Sequence, residues 1–252
     1  SIQRGKTANE EEEEEEDEER EKEELSEHTL TYGEILYSTF VACVLDRVRA
    51  HGGLGPGSCN GVFTDIGCGT AKPVFASALT HSFAKCRGVE VLPDLSRFAN
   101  EIADVYRREI QPRVGSSEDD PRRRCEIEIL HADAFADSCD WSDSDVVFAN
   151  STCFTEALFK AFAAKIKHLK PGSFVVTTTT RLWKAPWIEC LEMGTLKEDW
   201  GKTSVYVHRR VPLGTSDTRR GMTPEEYEAD RKAYPSLYTP EYLKQQQQQQ
   251  QQ

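Results

Sequence analysis

The sequence predicts a doubly wound, Rossmann-like α/β fold, with a seven-stranded, mostly parallel sheet and helices on both faces. The first observation is an apolar run that ends in the glycine-rich turn Asp65-Ile66-Gly67-Cys68-Gly69 and continues into a helical pattern. Such a turn is typical of the first strand–turn–helix unit of this fold. The second observation is that four short apolar strands alternate with helical patterns before a fifth strand, as in a parallel sheet. Two closing strands, over 195–200 and 203–210, complete the sheet.

The charge is concentrated at one end of the chain, which divides it into a domain and two tails. Of the net charge of −12, residues 10–24 carry −11, from 13 acidic and 2 basic residues. We therefore expect an acidic disordered tail over 1–27, a folded domain over 28–211, and a polar tail over 212–252 that ends in polyglutamine. The acidic tail is either solvated and extended or attracts a basic partner such as a histone. The near-neutral domain does not indicate non-specific nucleic-acid binding.

The remaining elements follow from the spacing of apolar residues. Leu36, Phe40, Val44 and Val48 recur every four residues, so the sequence predicts a helix over 35–48, directly after the motif Tyr32-Gly33-Glu34. Further helices are expected over 73–83, 94–110, 155–169 and 183–193, and the strands before the closing pair over 62–65, 85–91, 125–130, 145–150 and 173–180.

The cysteines and the apolar runs limit the classes to which the protein can belong. The eight cysteines are scattered, with no pair at the spacing of a zinc or redox motif. We therefore expect reduced cysteines, no metal site, and an intracellular protein of the nucleus or cytoplasm. No signal peptide is visible and no apolar run is long enough to span a bilayer, so no membrane association is expected. The oligomeric state is left open.

The glycine-rich turn distinguishes among adenosine-bearing cofactors. A dinucleotide fingerprint would need a third glycine where Lys72 stands. Asp65 would repel a diphosphate, whereas it suits the ammonium group of S-adenosylmethionine, which has no phosphate. Gly67 and Gly69 let the backbone approach the ligand closely. Glu90 lies 21 residues beyond Gly69 at the end of the second strand, where an acid can accept hydrogen bonds from ribose hydroxyls. An ordinary structural glycine turn is the alternative interpretation.

Three further side chains are expected at the same edge of the sheet, because they follow the third and fourth strands. The carboxylate of Asp133 can accept a hydrogen bond from an adenine amino group. Phe135 either stacks on the adenine ring or is a plain core residue. Asn150 ends the fourth strand, which neighbours the first in a doubly wound order. It is therefore expected in the crevice where ligands bind.

Together these residues resemble the class I S-adenosylmethionine-dependent methyltransferases. More narrowly, they resemble the disruptor-of-telomeric-silencing type, the non-SET histone lysine methyltransferases. The resemblance spans about residues 30–210 and is carried by Tyr32-Gly33-Glu34, Asp65-Ile66-Gly67-Cys68-Gly69, Gly88-Val89-Glu90, Asp133 with Phe135 and Trp141, and Val146-Val147-Phe148-Ala149-Asn150 with Phe154. It implies that the cofactor is held by Asp65, Gly67 and Gly69 at its amino-acid end, by Glu90 at the ribose, by Asp133 and Phe135 at adenine, and by Tyr32 and Glu34, which close over it.

The resemblance also implies the catalytic end of the site and the reaction. Asn150 would face the transferring methyl group, and Phe154 would line a lysine channel. Here Ser151 and Thr152 follow Asn150, where the family has a second asparagine and then an aromatic residue, and Ala134 separates the adenine-binding pair. The implied activity is methylation of a protein lysine by a chromatin regulator, with a histone or nucleosome as partner. The alternatives are a methyltransferase for a small molecule or a non-histone protein, and a non-catalytic cofactor-binding scaffold.

Overall fold

The computed structural model describes residues 35–54, 61–182, 187–198, 201–212 and 232, with side chains described except in 196–198 and 201–202. The strands are β1 (Val62–Ile66), β2 (Lys85–Glu90), β3 (Glu126–His131), β4 (Val146–Ala149), β5 (Phe174–Thr178), β6 (Ile188–Glu198) and β7 (Gly201–Arg210). The helices are α1 (Tyr37–Phe40), α2 (Asp46–Ala50), α3 (Lys72–Thr80), α4 (Pro93–Val105) and α5 (Glu156–Ile166). A π-helical turn, Val41–Leu45, joins α1 to α2, and another, Tyr106–Ile110, extends α4.

The sheet confirms the predicted fold class. Its seven strands run in the order β3-β2-β1-β4-β5-β7-β6. The first five are parallel to their neighbours, whereas β7 runs antiparallel to both β5 and β6. The chain therefore winds outward from β1 in one direction to β3 and then returns to build β4 and β5 on the other side. The reversal lies between β1 and β4, and the crevice beyond their carboxyl ends is the place where ligands bind in such sheets.

Helices cover both faces of the sheet because each buried strand is apolar on both sides. On one face, Phe40 at the end of α1 packs edge-on against Phe63 of β1 and Phe148 of β4, with ring centroids 6.0 and 5.3 Å apart. On the other face, Phe162 of α5 lies 6.0 Å from the ring of the buried Trp141. These two clusters fix the carboxyl ends of β1 and β4 in position.

The helix expected over 183–193 is wrong. Residues 183–186 lie outside the described residues, and Ile188–Glu198 form β6, the outermost strand. Its pairing with β7 runs from Ile188, opposite Arg210, to Glu198, opposite Gly201, with an irregularity between Cys190 and Glu192. This pairing supplies the backbone hydrogen bonds that a helix would have made internally. Long-range sheet pairing has overridden the local pattern.

Candidate functional site

A cavity of about 640 Å³ opens at the carboxyl ends of β1, β2 and β4, within the size range of small-molecule sites. Eight of the ten residues predicted for the site line it: Asp65, Gly67, Gly69, Glu90, Asp133, Phe135, Asn150 and Phe154. The other two, Tyr32 and Glu34, lie outside the described residues. The topology brings these side chains together because each follows a strand that ends at the same edge of the sheet.

The glycine-rich turn follows β1 and is tied to β2. Gly67 and Gly69 adopt φ values of 72° and 54°, in the left-handed region that glycine enters without steric cost. The amides of Gly67 and Cys68 donate to the carbonyl oxygen of Val89, at 2.9 and 3.1 Å. The turn is therefore held at a fixed distance from the end of β2, with its backbone exposed to the cavity.

Glu90 fastens the same turn from the other side. Its Oε2 accepts a hydrogen bond from the amide of Gly69 at 2.7 Å, and its Oε1 accepts one from the amide of Leu92 at 2.9 Å. The side chain is only 5% exposed. The sequence pointed to Glu90 through its spacing from Gly69, but it did not indicate these two backbone contacts. Each carboxylate oxygen keeps a second lone pair, so Glu90 can still accept hydrogen bonds from a ligand.

Asp65 is the group in the cavity that most clearly lacks a partner. It is 2% exposed, and its Oδ2 makes no hydrogen bond. Burial, and secondarily the negative charge of Glu90, raise the pKa of Asp65 well above its usual value. A buried polar atom without a partner is rare in native proteins and calls for an explanation. A cationic donor in the cavity would satisfy this oxygen, so the site fits the ammonium group of S-adenosylmethionine.

Asp133 and Phe135 form one unit despite the alanine between them. The Oδ1 atom of Asp133 accepts a hydrogen bond from the amide of Phe135 at 2.8 Å, which closes a short turn. Ala134 points inward, and its carbonyl oxygen accepts a hydrogen bond from Nε1 of the buried Trp141 at 2.9 Å. The turn thus presents the carboxylate and the ring on the cavity side. Ala134 therefore lengthens the sequence between Asp133 and Phe135, but the two residues still belong to one hydrogen-bonded turn.

Asn150 follows β4 and is held by hydroxyl groups. Its Oδ1 accepts hydrogen bonds from Oγ1 of Thr178 at 2.7 Å and from Oγ1 of Thr152 at 2.9 Å. A 3₁₀ turn, Ser151–Cys153, then leads to Phe154. The ring of Phe154 packs edge-on against Phe135, with centroids 6.1 Å apart. The two rings form an aromatic wall beside the asparagine.

Several lining residues were not predicted as site residues. Lys72 begins α3 at the edge of the glycine-rich turn, and the sequence noted it only as a missing glycine. Cys68 lies in the turn itself, and burial, followed by the charges of Asp65 and Glu90, raises the pKa of its thiol well above the usual value. A Cβ on Gly88 would come within 2.6 Å of its sulfur, so the cysteine requires a glycine on β2. The apolar lining residues, such as Leu95 and Leu158, carry no motif that would have singled them out.

In the described part of the chain, no three His, Cys, Asp or Glu side chains gather so as to hold a metal ion. Among the same residues, no helix combines the length and the apolar character that crossing a bilayer requires.

Comparison with known proteins identifies the family. The family described as "Histone methylation protein DOT1" matches residues 22–189, which is more than half of the chain. No curated protein sequence matches significantly. Among solved structures, an RNA methyltransferase from Salinibacter ruber, in complex with S-adenosyl-L-homocysteine, has 22% identity and a TM-score of 0.46, covering 69% of this chain and 93% of its own. The rRNA methyltransferase AviRa from Streptomyces viridochromogenes has 17% identity and a TM-score of 0.48, covering 71% and 86%. The chain belongs to the DOT1 family of histone methylation proteins and is an S-adenosylmethionine-dependent methyltransferase.

Proposed function

We propose that this methyltransferase modifies the ε-amino group of a protein lysine, and that its acceptor is a histone in the nucleosome. Two lines of support favour this acceptor. The first is membership of a family described by histone methylation. The second, which carries the proposal, is the distribution of charge along the cavity wall.

The charged side chains of the cavity lie apart from the segment that joins β4 to α5. Among the described lining residues, three of the four charged groups are the carboxylates of Asp65 on β1, Glu90 on β2 and Asp133 after β3, and the fourth is Lys72 of α3. The segment from β4 to α5 contributes only neutral side chains, among them Asn150, Phe154 and Leu158. A lysine that enters along this segment loses water without gaining a counter-charge. Desolvation lowers the pKa of an amine, so this wall favours the neutral, nucleophilic form.

The charged half of the cavity would hold the cofactor. We assign the ammonium group to Oδ2 of Asp65, with the backbone of Gly67 and Gly69 beside the amino-acid end. Glu90 would accept hydrogen bonds from the ribose hydroxyls. Asp133 and Phe135 would hold adenine through its amino group and its ring face. Tyr32 and Glu34, which precede the described residues, would close over the cofactor.

The neutral half would align the acceptor. When bound, the cofactor would supply an electrophilic methyl group on a cationic sulfur; the nitrogen of a neutral amine would bond to that carbon in line while the carbon–sulfur bond breaks and S-adenosylhomocysteine leaves. Phe154 excludes water from the approaching amine, and Asn150 defines its position at the end of β4. Holding two reactants in line supplies a large part of the rate enhancement in such a transfer. None of the chain's own residues needs to form a covalent intermediate.

The proposal is tested by offering several acceptors to one enzyme preparation. Methyl-labelled S-adenosylmethionine is incubated with nucleosomes, free histones, a lysate depleted of histones, and total RNA. We expect label in a nucleosomal histone. Asn150→Ala is expected to lower turnover by at least about tenfold while cofactor affinity changes little. Label confined to RNA, to other proteins or to a small molecule would overturn the histone assignment. Equal losses of turnover and cofactor affinity in Asn150→Ala would place Asn150 in the cofactor site instead.

A further inference from the structure

A cluster of threonine hydroxyls lies on the Oδ1 side of Asn150, and the proposed function does not account for it. We call Thr152, Thr178, Thr179 and Thr203 the threonine clamp. Thr152 belongs to the 3₁₀ turn after β4, Thr178 ends β5, Thr179 directly follows it, and Thr203 lies on β7. Residues from three separate segments therefore meet at one side of the cavity.

The clamp is continuous. Oγ1 of Thr152 and Oγ1 of Thr178 both donate to Oδ1 of Asn150, so the hydroxyl of Thr179 donates to Oγ1 of Thr152, 2.9 Å away. Oγ1 of Thr179 lies 2.8 Å from Oγ1 of Thr203. The hydroxyl of Ser151 also donates to the carbonyl oxygen of Thr178. The turn that carries Asn150 is thus fastened to the end of β5 by side chains and by backbone.

Thr179 adopts a backbone conformation that a β-branched residue rarely takes. Its φ is 61°, in the left-handed region, where side chains branched at Cβ are outliers. Such conformations persist only where surrounding contacts hold them, and they are concentrated at functional sites. Here the conformation places the hydroxyl of Thr179 between those of Thr152 and Thr203.

The clamp determines which half of the Asn150 amide is available. Both hydroxyls that contact Asn150, those of Thr178 and Thr152, donate to its Oδ1. An amide oxygen has two lone pairs, so these two donors saturate it. Because Oδ1 and Nδ2 lie on opposite sides of Cγ, fixing the oxygen also fixes the direction of the N–H₂ group. That group is directed away from the threonines and remains available for hydrogen bonding.

We propose that Thr178 and Thr152 are positioning residues, which fix the Asn150 amide so that its N–H₂ group, rather than its oxygen, serves the methyl-transfer site. This inference rests on the proposed role of Asn150 in that site. Thr178 is the principal member, because it is fully buried and makes the shorter of the two contacts. A free amide would sample both orientations, and a misdirected group lowers the rate without affecting cofactor contacts elsewhere.

The first test is spectroscopic and requires no turnover. The side-chain ¹⁵N–H₂ signals of Asn150 are identified by their disappearance in Asn150→Asp. In Thr178→Val, which removes the hydroxyl and keeps the shape, we expect these signals to shift and their hydrogen exchange to accelerate. Thr178→Ser should restore both. Thr80→Val is the matched control, because Thr80 lies at the far end of α3 and donates to the carbonyl oxygen of Ala76. Unchanged Asn150 signals in Thr178→Val would overturn the inference.

The second test separates this inference from the proposed function. With nucleosomes as acceptor, Thr178→Val should lower kcat about tenfold at unchanged cofactor Kd, and Thr178→Ser should recover it. In the Asn150→Ala background the same change should have no further effect, because the clamp acts through the asparagine. An active Thr178→Val beside an inactive Asn150→Ala would refute the clamp and retain the catalytic asparagine. A fully active Asn150→Ala would refute the assigned role of Asn150 and the positioning role of the threonines with it, whereas label in a histone would retain the proposed acceptor.

Discussion

At the residue scale, the sequence predicted the positions of the polar side chains at the strand ends, but not their hydrogen-bond partners. Asp65, Glu90 and Asn150 all stand where an apolar strand ends, and the ends of parallel strands meet at one edge of a sheet. Their hydrogen bonds depend on backbone directions that only the folded chain sets. The link from Glu90 to the amide of Gly69 and the unpartnered Oδ2 of Asp65 are of this kind.

The raised pKa of Asp65 predicts that cofactor affinity depends on pH. In the unliganded protein, burial and Glu90 favour the protonated form. A bound ammonium group would favour the carboxylate, so binding would release a proton below the raised pKa. Affinity should therefore fall as pH decreases through that pKa and level off above it. Calorimetry in buffers of different ionisation enthalpy measures the proton release. Asp65→Asn should bind the cofactor more weakly and release no proton on binding. Proton release that persists in this variant would assign the titration to another group.

Glu90 is expected to contribute to cofactor binding both directly and through the glycine-rich turn. Glu90→Ala should weaken binding by about 1–3 kcal/mol, the scale for hydrogen bonds to a charged group. Glu126→Ala is the control, because that carboxylate lies on the edge strand β3 with a 60% exposed side chain. Titration with S-adenosylhomocysteine measures both variants. Equal affinities for wild type and Glu90→Ala would show that the ribose assignment is wrong.

At the element scale, the parallel strands and the closing pair could be predicted, but the first half of the outer antiparallel strand could not. β1, β2, β4 and β5 are short, apolar and bounded by turns, which are local signals. Residues 188–193 also satisfy a helical period, and they form a strand because β7 pairs with them. The packing of β6 is likewise long-range, since Nη1 of Arg47 lies 2.6 Å from Oε1 of Glu192. No local pattern reports such contacts.

The burial of His208 on β7 predicts that the folded protein becomes less stable as the pH falls. Its Nε2 accepts a hydrogen bond from the amide of Leu182, and its Nδ1 lies 3.2 Å from the carbonyl oxygen of Val175, which suits a neutral ring. Burial, the largest effect, lowers the pKa of His208 from 6.5 to about 4. The unfolded chain therefore takes up this proton before the folded one does. The contribution to stability is complete above pH 6.5 and declines as pH falls to about 4, by about 3 kcal/mol in total.

Denaturant unfolding at a series of pH values measures this effect. In His208→Asn, the part of the pH dependence of the unfolding free energy that His208 causes should disappear. His81 contributes a pH dependence of its own, because burial and the charge of Arg49 also lower its pKa to about 4. The informative quantity is therefore the difference between wild type and variant. Parallel curves for the two proteins between pH 6.5 and 4 would contradict this account of His208.

At the scale of the whole molecule, fold and cofactor could be predicted from the chain, whereas the acceptor could not. Cofactor recognition is concentrated in short motifs at strand ends. No such motif names the acceptor, and after Asn150 the chain carries Ser151 and Thr152 in place of the residues that the resemblance would have led one to expect. The structure shows that these two side chains hydrogen-bond the turn after β4 to Thr178 and Thr179, at the end of β5. The two residues that depart from the family pattern are thus part of a connected hydrogen-bond network.

The most direct measurement is the identity of the methylated atom. Nucleosomes are incubated with the enzyme and methyl-labelled S-adenosylmethionine, the histones and DNA are separated, and each fraction is hydrolysed to amino acids or nucleosides for mass spectrometry. We predict label in Nε-methyllysine from a histone, and at least about tenfold less of it in the Asn150→Ala sample. Label in a methylated nucleoside or in another amino acid, or no label although the enzyme binds S-adenosylmethionine, would contradict the assignment of a protein-lysine acceptor to the neutral wall of the cavity.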